Sequence, residues 1–205
     1  LREINKVKSV LNSGILTHGK IGLDFEKKFS KFTNLNNCLT LSSCTAALYL
    51  AYKACNLKKG DEFIVPSQTH VATVNAGLEL GAKPIFVDCE LKTGNIDLKQ
   101  LKKKISKKTK LITLVHFLGK PVNIKEILKI KKKYKFKIVE DCALALGSKY
   151  YGKHVGFYSD FACFSFHETK NIHTGSGGML VINNKKFINK VNCIFDKGTN
   201  RHLMN

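Results

Sequence analysis

The sequence predicts an α/β fold in which a mainly parallel sheet is flanked by helices. Short apolar runs rich in β-branched and aromatic residues alternate with helix-patterned segments along most of the 205 residues, which is typical of repeated βαβ units. Hydrophobic residues make up 43% of the chain, enough for a well-buried domain of this length. We find no internal repeat or low-complexity linker, and expect no domain break within residues 1–205.

The apolar runs are the predicted strands, and they lie near residues 38–41, 62–65, 84–88, 110–116, 137–140, 161–166 and 178–182. Helices fill most of the gaps between them, so most consecutive strands are expected to run parallel. Between the last two strands there is room for a loop but no helix pattern. The last strand is therefore expected to run antiparallel.

The helix-patterned segments lie near residues 25–32, 45–55, 69–80, 98–105, 124–134 and 185–195. Turn signals rich in glycine or proline separate several elements, as at 59–61, 81–84 and 119–121. In an open α/β sheet, ligands bind beyond the carboxyl ends of the strands, where loops lead into helix N-termini. The informative residues are therefore expected just after each strand.

The net charge and the scarcity of arginine limit the classes of function that this sequence supports. The formal net charge of +20 comes from 35 Lys+Arg against 15 Asp+Glu, and Arg2 and Arg201 are the only arginines. Arginine is the side chain that reads guanine and grips phosphate with two bonds. We therefore interpret the lysines as solvated helix faces that suit an anionic substrate, and keep a basic nucleic-acid-binding module as the alternative.

Cellular location follows from composition. Seven cysteines without a C-x-x-C pair indicate a reducing compartment and argue against zinc. No apolar run approaches the roughly 20 residues needed to cross a bilayer, and the N-terminus lacks a signal-peptide pattern. We expect a cytoplasmic protein. Because the chain begins with Leu1 and its last residues form no obvious terminating element, we also expect a fragment of a longer protein.

Small polar residues follow the first strand. Ser42, Ser43, Cys44 and Thr45 come directly before a helix-forming run. Free amides and hydroxyls at a helix N-terminus form an anion site, because the helix dipole favours phosphate there. The alternative is that Ser42 or Ser43 only caps the helix. The segment has neither the P-loop nor the dinucleotide-binding glycine pattern.

Two carboxylates end the fifth strand. Glu140 and Asp141 close an apolar run at the edge where ligands bind. An aspartate placed there can pair with the pyridinium nitrogen of pyridoxal phosphate (PLP), which keeps the ring protonated as an electron sink. It can equally cap the next turn or bind magnesium.

The segment 161–171 is the most informative stretch. An apolar strand ends in a loop that presents Ser165, His167 and Lys170. A lysine that forms an imine must lose its proton far below its free pKa of about 10.4, which requires a partly desolvated or electropositive pocket. A loop over a sheet edge provides one, whereas an ordinary lysine would be a solvated surface charge.

Two histidines also follow strands. His70 can stack on a flat ring or serve as an ordinary helix-start residue, and His116 is similarly ambiguous. The seven histidines show no H-E-x-x-H spacing, so we assign no metal.

Taken together, these stretches resemble the DegT/DnrJ/StrS family of sugar aminotransferases. The matching segments occur in family order, and they are SCTAAL at 43–48, GDEFIVPS at 60–67, VED at 139–141, FSFHETKN at 164–171 and KGTNR at 197–201. The last two look most like the branch that aminates dTDP-4-keto-6-deoxy-sugars. The resemblance implies the type I aminotransferase fold, with residues 1–205 forming an N-terminal segment and the large PLP-binding domain.

The resemblance also implies a role for each matching residue. Lys170 forms the Schiff base with PLP and moves the proton, Asp141 pairs with the pyridinium nitrogen, and His70 stacks on the ring. The phosphate is held by the amides and hydroxyls of Cys44, Thr45 and Ser165. Glutamate donates the amino group, and a nucleotide-linked keto-sugar, as used in polysaccharide and lipopolysaccharide O-antigen biosynthesis, receives it. The family forms homodimers whose second subunit completes each active site.

Two positions depart from the family pattern. Leu144 stands where the family has Gln or His near the cofactor hydroxyl, and Ser176 replaces the usual Glu of Gly-Glu-Gly-Gly. We also expect residues 1–205 not to include the family's small C-terminal domain. A PLP-dependent sugar dehydratase on the same fold is one alternative, although family dehydratases carry histidine in place of the lysine matching Lys170. A catalytically decayed paralogue, suggested by Leu144, is the other.

Overall fold

The computed structural model describes residues 2–200. Within this range a seven-stranded sheet has the order β1-β9-β8-β5-β4-β2-β3. Its strands are β1 (Cys38–Leu41), β2 (Glu62–Pro66), β3 (Lys83–Val87), β4 (Thr109–Val115), β5 (Lys137–Asp141), β8 (Phe161–Ser165) and β9 (Gly178–Ile182). A separate two-stranded hairpin consists of β6 (Lys149–Tyr150) and β7 (Lys153–His154).

The helices are α1 (Arg2–Ser13), α2 (Lys20–Thr33), α3 (Cys44–Ala54), α4 (Val71–Leu78), α5 (Leu98–Lys104), α6 (Ile124–Lys133) and α7 (Ile188–Phe195). Short 3-10 turns at Phe117–Gly119 and Lys185–Phe187 complete the regular structure of the described residues. No helix of residues 2–200 is both long enough and apolar enough to cross a bilayer.

Strand directions confirm the predicted mainly parallel sheet. The pairs β2–β3, β2–β4, β4–β5 and β5–β8 are parallel. Strand β9 is antiparallel to both β8 and β1, as expected from the missing crossover helix. The carboxyl ends of β5 and β8 therefore lie side by side at one edge of the sheet, where the sequence predicts the site.

Both faces of the sheet are covered by helices. On one face, α3, α4 and α7 bury apolar residues such as Leu48, Ala76 and Val191 against the strands. On the other face, α5 and α6 cover the β4 side and α2 covers the β8–β9 side. Because successive strand residues point to opposite faces, Val139 of β5 packs beneath α3 whereas Ile138 packs beneath α6.

Most observed strands and helices begin and end within a few residues of the predicted ones. The main difference is at the N-terminus. Helix α1 was not predicted, and it has no buried residue. Its apolar residues Ile4, Val7 and Leu11 follow helical spacing but are all more than half exposed. An amphipathic pattern without a packing partner is weak evidence for a helix when taken from sequence, because packing supplies most helix stability.

Candidate active site

Asp141 ends β5 at the predicted edge. It lies opposite Cys163 of β8 in the parallel register, and its side chain is only 5% exposed. Its Oδ1 accepts a hydrogen bond from the Ala143 backbone amide at 3.1 Å, and its Oδ2 accepts one from the Thr73 hydroxyl at 2.8 Å. Each carboxylate oxygen has two lone pairs, so the group keeps acceptor capacity for a ligand.

A chain of hydroxyl groups supports this carboxylate from α4. The Thr69 hydroxyl donates to the Thr73 hydroxyl at 2.8 Å, and the Thr73 hydroxyl donates to Asp141. The buried Tyr52 hydroxyl donates to the Thr73 carbonyl oxygen at 3.0 Å and lies 2.6 Å from the Thr113 hydroxyl. Burial raises the pKa of Tyr52 well above its ordinary value, so this phenol stays protonated and able to donate.

The N-terminus of α3 borders the same region. Ser43 is its N-cap, with Oγ accepting from the Ala46 amide at 3.1 Å. The first amides of a helix have no partner within the helix, so those of Cys44 and Thr45 are available to an anion. Gly178 of β9 packs against this end so closely that an added Cβ would lie 2.3 Å from the Ser43 carbonyl. Capping of the helix by Ser43 and binding of an anion by the free amides are therefore compatible.

Ser165 is the last residue of β8, and Lys170 lies in the loop that follows it. They line one small cavity of about 30 Å³ with Ala143, Leu144 and Asn171 among their neighbours. The Lys170 side chain is half-buried, and among residues 2–200 no carboxylate lies within salt-bridge distance of its Nζ. Ser165 Oγ accepts from the His167 amide at 3.3 Å, which leaves its own proton free to donate.

Asp141 and Lys170 border one region, because the Ala143 amide donates to Asp141 Oδ1 and Ala143 lines the cavity with Lys170. Burial and the nearby charge of Asp141 raise the pKa of the Cys44 thiol well above its ordinary value, and Lys170 lowers it. Burial also raises the pKa values of Cys142 and Cys163 well above normal. These thiols therefore stay protonated near neutral pH.

His70 lies at the start of a helix, which is one of the two roles predicted for it. It is the N-cap of α4, and its Nδ1 accepts from the Ala72 amide at 3.1 Å. The side chain is exposed, so capping leaves its ring available for stacking. Whether a ligand ring lies against it stays a prediction.

His116 and Glu140 form a separate buried pair. His116 Nε2 lies 2.8 Å from Glu140 Oε2, which also accepts from the Gly156 amide at 2.8 Å. The Val122 amide donates to His116 Nδ1 at 3.1 Å. Together with Cys142 these side chains could hold a metal by distance alone, but both ring nitrogens already have protein partners.

The two departures from the family pattern fall near the site. Leu144 is nearly half exposed and lines the same cavity as Lys170. Ser176 Oγ donates to the Ser42 carbonyl oxygen at 3.1 Å and so ties the glycine-rich loop to the entry of α3. Arg201, the last residue of the fifth matching segment, lies outside the described residues.

The structure therefore brings the predicted residues to one sheet edge, and it adds some that sequence patterns did not single out. The additions are Tyr52, Thr69, Thr73 and Thr113. One signal was available, since Thr69 and Thr73 are four residues apart at the start of a helix and follow a strand. Polar residues at that spacing lie on one helix face.

The arrangement fits a small molecule with an anionic group at one end and a protonated ring nitrogen at the other. The anionic end would meet the free amides of α3, and the ring nitrogen would meet the buried Asp141 carboxylate. The half-buried Lys170 amine would face the molecule between them. These are the groups to which the family resemblance gives a role in binding PLP.

Comparison with known proteins agrees with this site. The sequence profile of the DegT/DnrJ/EryC1/StrS aminotransferase family matches residues 1–205. GDP-perosamine synthase of Escherichia coli O157:H7 is 42% identical over 174 residues, covering 85% of this chain and 47% of that protein. The structure of an aminotransferase from Psychrobacter cryohalolentis is similar with a TM-score of 0.90 and 31% identity, covering 95% of this chain and 50% of that one.

GDP-4-keto-6-deoxy-D-mannose-3-dehydratase of E. coli, solved with bound hydrated PLP, has a TM-score of 0.91 and 31% identity, over 98% of this chain and 53% of that one. The chain spans about half the length of the curated relatives it matches. The expected fold is thus confirmed, and the expected cofactor is the one bound in that dehydratase. On the profile match over its whole length, the chain belongs to the DegT/DnrJ/EryC1/StrS aminotransferase family.

Proposed function

We propose that the protein containing this chain is a PLP-dependent aminotransferase that transfers an amino group from glutamate to a nucleotide-linked keto-sugar. The observation that carries the proposal is that Lys170 and the buried Asp141 border one region. Ala143 donates its amide to Asp141 Oδ1 and lines the cavity with Lys170 and Ser165. Ser165 pairs with Gly178 of β9, which packs against the N-terminus of α3.

Each group has a distinct task in this proposal. PLP, when bound, supplies an electron sink for the carbon that carries the reacting nitrogen. The Asp141 carboxylate would accept a hydrogen bond from the protonated ring nitrogen, and burial strengthens that pairing. Lys170 holds the cofactor through its amine and then takes or delivers a proton at Nζ. The phosphate-binding donors are the amides of Cys44 and Thr45 with the hydroxyls of Thr45 and Ser165, and His70 covers a ring face.

Covalent labelling tests the assignment of Lys170. The longest form of the protein that the gene encodes is incubated with PLP, reduced with borohydride and digested, and the labelled lysine is identified by mass spectrometry. We expect the label on Lys170 and none in Lys170→Ala, with the visible absorbance of the bound cofactor lost as well. Lys186→Ala, an exposed lysine in a turn distant in sequence from the site, is the matched control. An unchanged absorbance in Lys170→Ala would refute the proposal.

The proposal also concerns the identity of the nucleotide that is attached to the keto-sugar. The resemblance of segments 164–171 and 197–201 favours a dTDP-linked 4-keto-6-deoxy-hexose, whereas the relative named GDP-perosamine synthase favours a GDP-linked one. We propose the dTDP sugar as substrate and the GDP sugar as the second candidate. Glutamate-dependent formation of an amino-sugar, measured by mass spectrometry on both keto-sugar nucleotides, distinguishes them.

A dehydratase on the same fold is the nearest enzymatic alternative, and the structural similarity to a 3-dehydratase makes it worth testing. Dehydratases of this family have histidine at the position of the lysine, and this chain has Lys170 there. The sugar product separates the two activities, because a dehydratase removes a ring hydroxyl whereas an aminotransferase leaves it and replaces the keto oxygen by an amine.

A catalytically decayed paralogue is favoured by one observation, the position of Leu144 in the cavity that Lys170 lines. This alternative predicts PLP binding without turnover of any keto-sugar nucleotide. The basic nucleic-acid module predicts instead tight, steeply salt-dependent binding to DNA. We propose that neither describes the protein.

The remaining proposals concern the whole protein. Since this chain spans about half the length of its curated relatives, we propose that residues 1–205 form the N-terminal segment and the large domain, and that a smaller domain is part of the full protein. We propose a cytoplasmic homodimer acting in polysaccharide or lipopolysaccharide O-antigen biosynthesis. Light scattering on the full-length protein tests the dimer.

A further inference from the structure

Thr73 lies at the centre of the buried polar network beneath the site. Its side chain is fully buried, and its hydroxyl donates to Asp141 Oδ2 at 2.8 Å while accepting from Thr69 at 2.8 Å. A hydroxyl has a single proton, so the Thr73 hydroxyl that donates to Asp141 cannot also donate to another group. The direction of the chain is thereby set from Thr69 through Thr73 to Asp141.

We infer that Thr73 is a positioning residue for the cofactor, an inference that rests on the proposed function. Asp141 has only two protein donors among the described residues, the Ala143 amide on Oδ1 and the Thr73 hydroxyl on Oδ2. Two donors on different oxygens define the plane of the carboxylate. With Thr73 removed, a single bond on Oδ1 leaves that plane free to turn, and Oδ2 becomes a buried charged acceptor without a protein donor.

The same helical turn also positions the residue assigned to the ring face. The Thr73 amide donates to the His70 carbonyl oxygen at 3.0 Å, and His70 Nδ1 caps the turn through Ala72. Thr69, the first hydroxyl of the chain, directly precedes His70. The first turn of α4 therefore orients both the carboxylate that meets the ring nitrogen and the histidine that stacks on the ring.

The Tyr52 hydroxyl keeps this turn in place. It donates to the Thr73 carbonyl oxygen and contacts Thr113, whose side chain is also fully buried. Thr113 belongs to the same network, so it cannot serve as a control. Thr33 of α2 is the matched control, because it is also buried and its hydroxyl donates to the Phe29 carbonyl oxygen, outside this network.

The experiment compares Thr73→Val, Thr73→Ser, Thr69→Val and the control Thr33→Val in the full-length protein. PLP affinity and the wavelength of the bound-cofactor band are measured by titration, and stability of the cofactor-free protein by urea unfolding. Since hydrogen bonds to charged groups are the stronger class, we expect about a 10-fold or larger loss of PLP affinity and a shifted band in Thr73→Val. Thr73→Ser should restore both to within about 3-fold, and Thr69→Val should have an intermediate effect.

Thr33→Val should reduce stability yet leave PLP affinity unchanged. Wild-type affinity in Thr73→Val, failure of Thr73→Ser to restore it, or an equal loss of affinity in Thr33→Val would each overturn the inference. Crystal structures of the cofactor-free variants provide an independent measurement. We expect the Asp141 carboxylate to change orientation in Thr73→Val only, and an unchanged carboxylate there also overturns the inference. A folded wild type that binds no PLP refutes the proposed function itself, so the two failures are distinguishable.

Discussion

Two neighbouring carboxylates at the end of β5, Glu140 and Asp141, have opposite environments. Both are buried, but successive strand residues point to opposite faces of the sheet. Glu140 meets a histidine, His116, and the Gly156 amide in a closed cluster. Asp141 meets one neutral hydroxyl and one amide on the face covered by α3 and α4.

The difference shows how one strand end serves stability and binding at once. Glu140 is paired with His116 and fully buried, so it is not exposed to a ligand. Asp141 accepts hydrogen bonds only from two neutral donors, so its oxygens keep acceptor capacity for a ligand. Glu140 is therefore interpreted as a structural residue, and Asp141 as a binding residue.

The largest expected effect is on the stability of the protein. It tests whether Glu140 is the structural residue and Asp141 the binding residue. Glu140→Ala leaves His116 buried without its partner, so we expect the free energy of unfolding to fall by about 3–5 kcal/mol. Asp141→Ala removes the carboxylate and leaves no unpaired charge behind, so we expect a smaller loss of about 1–3 kcal/mol from the partners left without their acceptor. Urea unfolding of the cofactor-free protein measures both. Equal losses in the two variants would contradict the comparison.

The pH dependence of stability provides a second test of the comparison between Glu140 and Asp141. Burial opposes ionisation of Glu140, but the hydrogen bond and charge of His116, with the Gly156 amide, hold its pKa below the ordinary value of 4.5. A lowered folded-state pKa means that its contribution is present above the unfolded-state pKa, and is lost as pH falls through the folded one.

The variant Glu140→Gln should therefore lose the part of the acid dependence that begins below about pH 4.5. Each pKa unit of lowering corresponds to about 1.4 kcal/mol of stability. Unfolding free energies of wild type and variant, measured in parallel between neutral pH and pH 3 or so, give the difference. Parallel curves would show that this carboxylate does not stabilise the fold through its charge.

The smallest expected effect comes from His154, on the Glu140 side of the sheet. Its Nε2 accepts from the Gly147 amide at 2.8 Å, and burial lowers its pKa from the ordinary 6.5. Because the unfolded chain binds the proton first, stability is full above about pH 6.5 and declines as pH falls below it. We expect His154→Gln to remove this decline, which amounts to at most about 1.4 kcal/mol per pH unit. Thermal unfolding at pH 7.5 and pH 5.5 or so measures it, and an unchanged decline in the variant would contradict the assignment.

Sequence patterns predicted the elements around the site well because those elements are local. The strand that ends at Asp141 and the loop that carries Lys170 each follow from a short apolar run with a polar end. Helix α4 begins two residues later than predicted, at Val71, because His70 caps it. The helix α1 and the hairpin β6–β7 were not predicted, since one lacks a packing partner and the other is only two residues per strand.

By itself, the sequence determined the α/β alternation, the family and the candidate residues that follow the strands, because each of these depends on neighbours along the chain. Only the tertiary structure decided which of two adjacent carboxylates faces the helices of the site. It also joined Thr73 to Asp141 across 68 positions of sequence. Alternation along a strand requires Glu140 and Asp141 to face opposite ways, but the packing of distant helices determines which face becomes the site.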